Sequence, residues 1–160
     1  MRRLLFAVLV AFAAAPVAAQ VKDSLVPLLP LAPRGMDYVE TTCTGGIDGR
    51  YEATRVLANG RVDKVTARDR DDLRARATRG EVATIWRQLD RAGFERRIVP
   101  PEKPYVMDGI NCSLTRRLHG RVHTVSLMQQ QRDKPQYRDL SRVVDDVNAL
   151  GRRATPVRPG

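Results

Sequence analysis

RYEATRVLANGRVDKVTA, residues 50–67, decides the fold. Two runs rich in β-branched residues flank Asn59-Gly60, the strongest short hairpin signal a sequence carries. The stretch predicts strands at 50–58 and 61–67 joined by a tight turn. Upstream, DYVETTCT at 37–44 reads as a further strand. Alternation puts its Val39, Thr41 and Cys43 on one face. GGIDG at 45–49 is then the turn between this strand and the next. The first half of the chain is therefore predicted to be a β-meander. RDRDDLRARAT, 68–78, reads equally as a frayed strand or a loop.

Beyond it the hydrophobic period changes from two to 3.6. Thr78 and Glu81 form a T-x-x-E capping box. Val82, Ile85, Trp86, Leu89 and Ala92 then fall on one helical face, with the lone tryptophan read as core. Gly93 stops this helix as a left-handed cap, and Phe94 can pack back on Leu89. ERRIVPPEKPYVMDG, 95–109, holds three prolines and reads as a long connection. INCSLTRRL, 110–118, alternates again, with Ile110, Cys112, Leu114 and Leu118 on one face. His119-Gly120 turns the chain, and RVHTVSLM returns at 121–128. After a Gln run and a Lys134-Pro135 break, Tyr137, Leu140, Val143, Val144, Val147 and Leu150 mark a second amphipathic helix, stopped at Gly151. Strands, helix, hairpin, helix is an α+β order. It predicts an antiparallel sheet, an N-terminal meander plus a C-terminal hairpin, with two amphipathic helices on one face.

The chain begins MRRLLFAVLVAFAAAPVAAQ. A basic start, an apolar run too short to span a bilayer and small residues before Gln20 predict a signal peptide at 1–19. The expected location is periplasmic or secreted, with no transmembrane segment in the mature chain. Residues 20–36 hold Pro27, Pro30 and Pro33 at the three-residue period of polyproline II, which predicts an extended leader lying along the domain. A single domain is expected over 37–151, and a disordered tail over 152–160.

The formal charge is +10, and loss of Arg2 and Arg3 with the signal peptide lowers it to +8. A basic surface attracts anionic partners. Arg116, Arg117 and Arg121 are the candidate anion-binding residues, for lipopolysaccharide or for acidic proteins. Specific nucleic-acid binding needs base-stacking aromatics or a reading helix. Aromatics are scarce here, so that class is set aside.

Cys43 and Cys112 are the only cysteines. In an oxidising compartment one pair allows one disulfide. The competing reading is a reactive thiol at Cys112 assisted by His119 or His123, which needs a depressed pKa and a nearby base. The histidines alone make a poor metal site: on a strand, positions i and i+4 lie about 13 Å apart, and no carboxylate or cysteine cluster completes a shell. TGGIDG lacks the Lys-Ser/Thr and the following helix of a phosphate loop. Asp69, Asp71 and Asp72 have arginines between them and no calcium-loop pattern. Ser24, Ser113, Ser126 and Ser141 lack a nucleophile-elbow context. No metal, cofactor or catalytic residue is expected.

The succession of TGG and DG turns, the helix EVATIWRQLDRAGFE, an Asp-Gly, the hairpin INCSLTRRLHGRVHTVSL and a last helix resembles the emfourin-type domain. That family is named for an inhibitor of thermolysin-like metalloproteases. The pattern is also similar to a set of exported bacterial domains of unknown function whose helix ends in A-(G/D)-F. The resemblance covers about residues 38–150. The signal peptide, the Pro-rich leader and the cysteine pair depart from the inhibitor pattern. It implies an α+β fold and a non-catalytic binding role, with an exported protease as partner. The turn residues Gly45, Gly46, Asp48 and Gly49 and the leader are the expected contact segments, working by strand addition into the partner's cleft. A basic envelope protein that binds anionic ligands is the alternative.

Overall fold

The computed structural model describes residues 29–47, 49–67, 73–101 and 109–156. The predicted signal peptide, the leader up to residue 28, Asp48, the aspartates at 69, 71 and 72, the Asp-Gly aspartate at 108 and residues 157–160 lie outside these. Within the described residues the strands are β1 (Tyr38–Gly45), β2 (Arg50–Leu57), β3 (Arg61–Thr66), β4 (Leu73–Arg76), β5 (Ile110–Leu118), β6 (Arg121–Leu127) and β7 (Thr155–Pro156). Helix α1 (Arg79–Arg91) lies between β4 and β5, and α2 (Gln129–Arg132) and α3 (Arg138–Gly151) lie between β6 and β7. All the strands join one antiparallel sheet in the order β6-β5-β1-β2-β3-β4-β7. The chain is α+β, as its pattern predicts.

One face of the sheet carries the core. Val39, Val56, Val62, Leu114, Val125 and Leu127 meet Val82, Ile85 and Leu89 of α1 and Leu140, Val143, Val144, Val147 and Leu150 of α3. Burying each such side chain stabilises by about 1.5–3 kcal/mol. Helices of this length are marginal alone in water, so packing rather than propensity holds them. Thr78 caps α1 by accepting from Glu81 N–H at 3.2 Å, while Thr78 N–H donates to the Glu81 carboxylate at 2.7 Å. Gly93, at φ 60°, ends the helix, and Phe94 is fully buried in the same core.

The opposite face is mixed: Ala53, Leu57 and Val65 are buried there beside a set of cross-linked polar groups. Arg55 pairs with Glu40 at 2.7 Å and lies over the Tyr38 ring. Asp63, buried, pairs with Arg61 at 2.9 Å. The Arg55 guanidinium also donates to the Pro30 carbonyl, which ties the described part of the leader to this face. Leu29, Pro30 and Ala32 are half-buried against the domain, while Leu31 is 94% exposed.

Four local readings change. The Asn59-Gly60 hairpin is not a two-residue turn: Ala58, Asn59 and Gly60 form the loop, Gly60 N–H donates to the Leu57 carbonyl, and only Gly60 takes positive φ. That is a type I turn closed by a left-handed glycine. The ambiguous stretch 68–78 contains strand β4, which pairs with β3. The tail is ordered as far as Pro156, because Thr155 and Pro156 pair with Arg74 and Leu73 and Arg153 meets Glu81 at 3.0 Å. Gly151 is the last helical residue rather than a stop signal beyond the helix. It is glycine because α3 crosses β2 closely: a Cβ there would lie 2.4 Å from Thr54 Oγ1.

Candidate functional site

Cys43 of β1 and Cys112 of β5 face each other in register, with Cα atoms 4.1 Å apart, and their sulfurs form a disulfide. Neither cysteine is free, so the thiol chemistry weighed for Cys112 has no nucleophile in this structure. The bridge lies on the helix-covered face, between β1 and β5, the third and second strands from the β6 edge of the sheet. Asn148 Nδ2 of α3 lies 3.7 Å from Cys43 Sγ, and Arg132 of α2 places a guanidinium nitrogen 3.9 Å from Cys112 Sγ. Asn148 is itself fixed by the Thr41 hydroxyl, which donates to its Oδ1 at 2.6 Å.

The turn expected to contact a partner begins two residues beyond Cys43. Gly45, Gly46 and Gly49 all have positive φ, and Gly49 N–H donates to the Gly46 carbonyl at 3.0 Å. Gly45 also has no room for a side chain, since a Cβ would stand 2.3 Å from the carbonyl oxygen of Gly109, the residue before β5. The turn is thus pinned at its base by the disulfide and by that close approach. Asp48, expected to belong to it, lies outside the described residues. Ile47, the apolar residue in GGIDG, is 92% exposed at its tip. The sequence reading passed over it, although an isoleucine among turn formers is a visible oddity.

The three arginines separate. Arg116 is only 4% exposed. It lies across from Val39 on the helix-covered face, pairs with Asp90 at 2.7 Å and Glu95 at 2.9 Å, and stacks over the Trp86 ring. Its charge is met internally, so it does not belong with an exposed anion site. Strand parity carried that signal, because Arg116 shares the face of Cys112 and Leu114. Trp86 changes with it: the ring is half-buried beneath the guanidinium rather than inside the core. Arg117, on the open face, and Arg121, at the start of β6, have no carboxylate partner among the described residues.

The histidines part company as well. His119 forms the hairpin turn at φ 50° and lies 3.8 Å from Asp37. His123 packs edge-on against Phe94, and its Nε2 meets the Arg97 carbonyl at 3.0 Å. Among the described residues no cluster of three His, Cys, Asp or Glu side chains is placed to hold a metal ion.

Open grooves lie among the described residues, and two of them bear on binding. One, of about 600 Å³, lies between the start of α1 and the end of α3, with Ile85, Ala149 and Leu150 as its floor and Glu81, Asp146 and Arg153 at its rim. The other, of about 610 Å³, lies beside the β5–β6 turn and is bounded by Glu95, Leu118, Arg121, Val122 and His123. No helix among the described residues is long and apolar enough to cross a membrane. Neither a protein-family model nor a curated protein matches the chain.

Proposed function

We propose that this chain is an exported, non-catalytic binding domain that inserts the 45–49 turn into the cleft of a protein partner, an exported protease in the first instance. One observation carries the reading: a large apolar side chain, Ile47, stands 92% exposed on a glycine-rich turn whose base is braced by a disulfide. A loop held in its bound shape before association loses less entropy on binding. An apolar residue exposed at the tip of such a loop is suited to fill a pocket, while the glycines on either side let the partner's backbone approach. The emfourin-type resemblance supports a secreted metalloprotease as the partner class. Leu31, on the proline-rich leader, offers a second exposed apolar contact.

The test is a titration of the full chain into a panel of secreted metalloproteases, thermolysin-like enzymes included, with residual peptidase activity as the readout. Stoichiometric inhibition without cleavage of the chain is expected, with at least about a tenfold loss of affinity in Ile47→Asp. No inhibition across the panel, or simple digestion of the chain, would overturn the protease reading. The alternative is a basic envelope protein that takes anionic ligands through Arg117 and Arg121. It requires steep weakening between low and moderate salt, whereas a complex built on Ile47 should resist salt.

A further inference from the structure

The two edges of the sheet are treated differently. At one end, β7 is two residues long and contains Pro156, which has no N–H to offer. Short strands and proline are ordinary means of blocking an edge against further pairing. At the other end, β6 runs for seven residues, RVHTVSL, with no proline and no lysine. The sheet stops there: β6 pairs with β5 on one side, and no described strand pairs with its outer side.

The surroundings of that edge have a definite chemistry. Val122 is exposed on the open face, directly across from Arg117. Arg121 and His123 stand on the other face, at the mouth of the groove that Leu118 and Glu95 line. Ile98, also exposed, follows Arg97, whose carbonyl is held by His123. Glu95 is engaged by Arg116 at 2.9 Å, so Arg117 and Arg121 are the charges left to recruit a partner. A strand laid along β6 would therefore meet a cation and an apolar side chain near the β5–β6 turn.

We infer that the outer edge of β6 docks an extended, acidic segment of another protein by strand addition. Main-chain hydrogen bonds supply the affinity, and alternate side chains supply the specificity. Acidic residues of the segment meet Arg117 or Arg121, and apolar ones cover Val122 or Ile98. A second copy of this chain is the less suitable occupant, because each copy carries a net charge of +10 in full and like charges repel. This surface lies on the outermost strand, away from the β1–β2 turn, so it stands or falls independently of the protease reading.

The probe is a blocked heptapeptide alternating glutamate and valine, titrated into the full isotope-labelled chain while amide shifts are followed. Two control peptides accompany it, one with lysine for glutamate and one with alternate backbone nitrogens methylated. The expected result is saturable binding with shifts confined to β6 and to residues 97–99. Both controls should bind at least about tenfold more weakly, since one reverses the charge and the other removes the donors. In Arg117→Glu/Arg121→Glu the preference should pass to the lysine peptide. Equal binding of the methylated peptide, shifts centred elsewhere, or no binding of any peptide would overturn the inference. A concentration-dependent dimer that buries β6 would also overturn it, by making a second copy the occupant. The peptide controls keep the test decisive if the double variant fails to fold.

Discussion

Gly151→Ala should change sign with the residue at position 54. Glycine in a helix is usually a weakness, and alanine there gains about 1 kcal/mol from propensity. Here the new methyl would arrive 2.4 Å from Thr54 Oγ1 and 2.8 Å from Thr54 Cγ2. Thr54 is 0% exposed, and its β-branched side chain has little freedom at χ1. It cannot swing away, so helix or strand must shift. Overpacking of this kind costs about 1–3 kcal/mol. The net effect is a loss of up to about 2 kcal/mol, or a few degrees in Tm. Thr54→Ala removes both offending atoms, including a hydroxyl that has no hydrogen-bond partner among the described residues, and leaves only Cβ at 3.2 Å, a contact that a shift of a few tenths of an ångström relieves. In that background Gly151→Ala should instead stabilise, by up to about 1 kcal/mol. Urea unfolding of the parent, both single variants and the double variant, followed by circular dichroism, gives the full cycle. A stabilising Gly151→Ala in the Thr54 chain, or the same sign in both backgrounds, would refute the close-approach argument.

Removing the disulfide with Cys43→Ala/Cys112→Ala should cost roughly 4 kcal/mol on the chain-entropy account, given a sequence separation of 69; denaturant midpoints of the oxidised, reduced and double-alanine chains check this. Thr78→Ala should cost about 1 kcal/mol by removing the α1 cap, read as a fall in urea midpoint. Glu81 has its carboxyl pKa lowered, first by the Thr78 backbone N–H and then by Arg153. Its contribution is therefore fully present above the ordinary carboxylate pKa and is lost as the pH falls through the lower, folded value. Glu81→Gln should flatten that acid limb of the stability profile, and an unchanged limb would assign it to other carboxylates. Arg116→Ala should destabilise by about 1–2 kcal/mol, since packing over Trp86 is lost while Asp90 and Glu95 can rehydrate, and should shift the Trp86 emission. Arg117→Ala should stay within about 0.5 kcal/mol, which separates the two neighbours by denaturation alone.

The elements that rest on period and local chemistry were legible. Alternation placed β1, β5 and β6, the capping box started α1, and Gly93 ended it. What escaped depends on contacts distant in sequence. Nothing near Arg116 announces Asp90 and Glu95, which α1 and the turn after it deliver, although parity already assigned the arginine to the covered face. Gly151 resembles a helix stop until Thr54 is seen beneath it. Thr155 and Pro156 gain their order from β4, itself hidden in a charged run. Gln131 sits in a polar Gln run yet is buried, donating to the Pro100 carbonyl at 2.7 Å and accepting from Met128 N–H at 2.9 Å. At the candidate site, the cysteine pairing and the glycine turn were readable. Ile47 was passed over although an isoleucine among turn formers stands out; the brace that the Gly109 carbonyl gives the turn was not readable, because it comes from a residue far away in sequence.

The place of β1 between β2 and β5 bears on the order of assembly. Strands β1 to β4 are consecutive and can form as local hairpins. Their first strand still keeps a bare side until residues 110–118 arrive, and contacts so far apart in sequence form slowly. During that interval the Cys43 thiol and an unpaired strand edge are exposed together, which invites pairing between copies. Oxidation ahead of β5 would thus join one chain to another, whereas oxidation after it locks the finished sheet. A chain truncated between β4 and β5 keeps Cys43 alone and should accordingly collect as disulfide-linked dimers, with the bare side of β1 serving as the template.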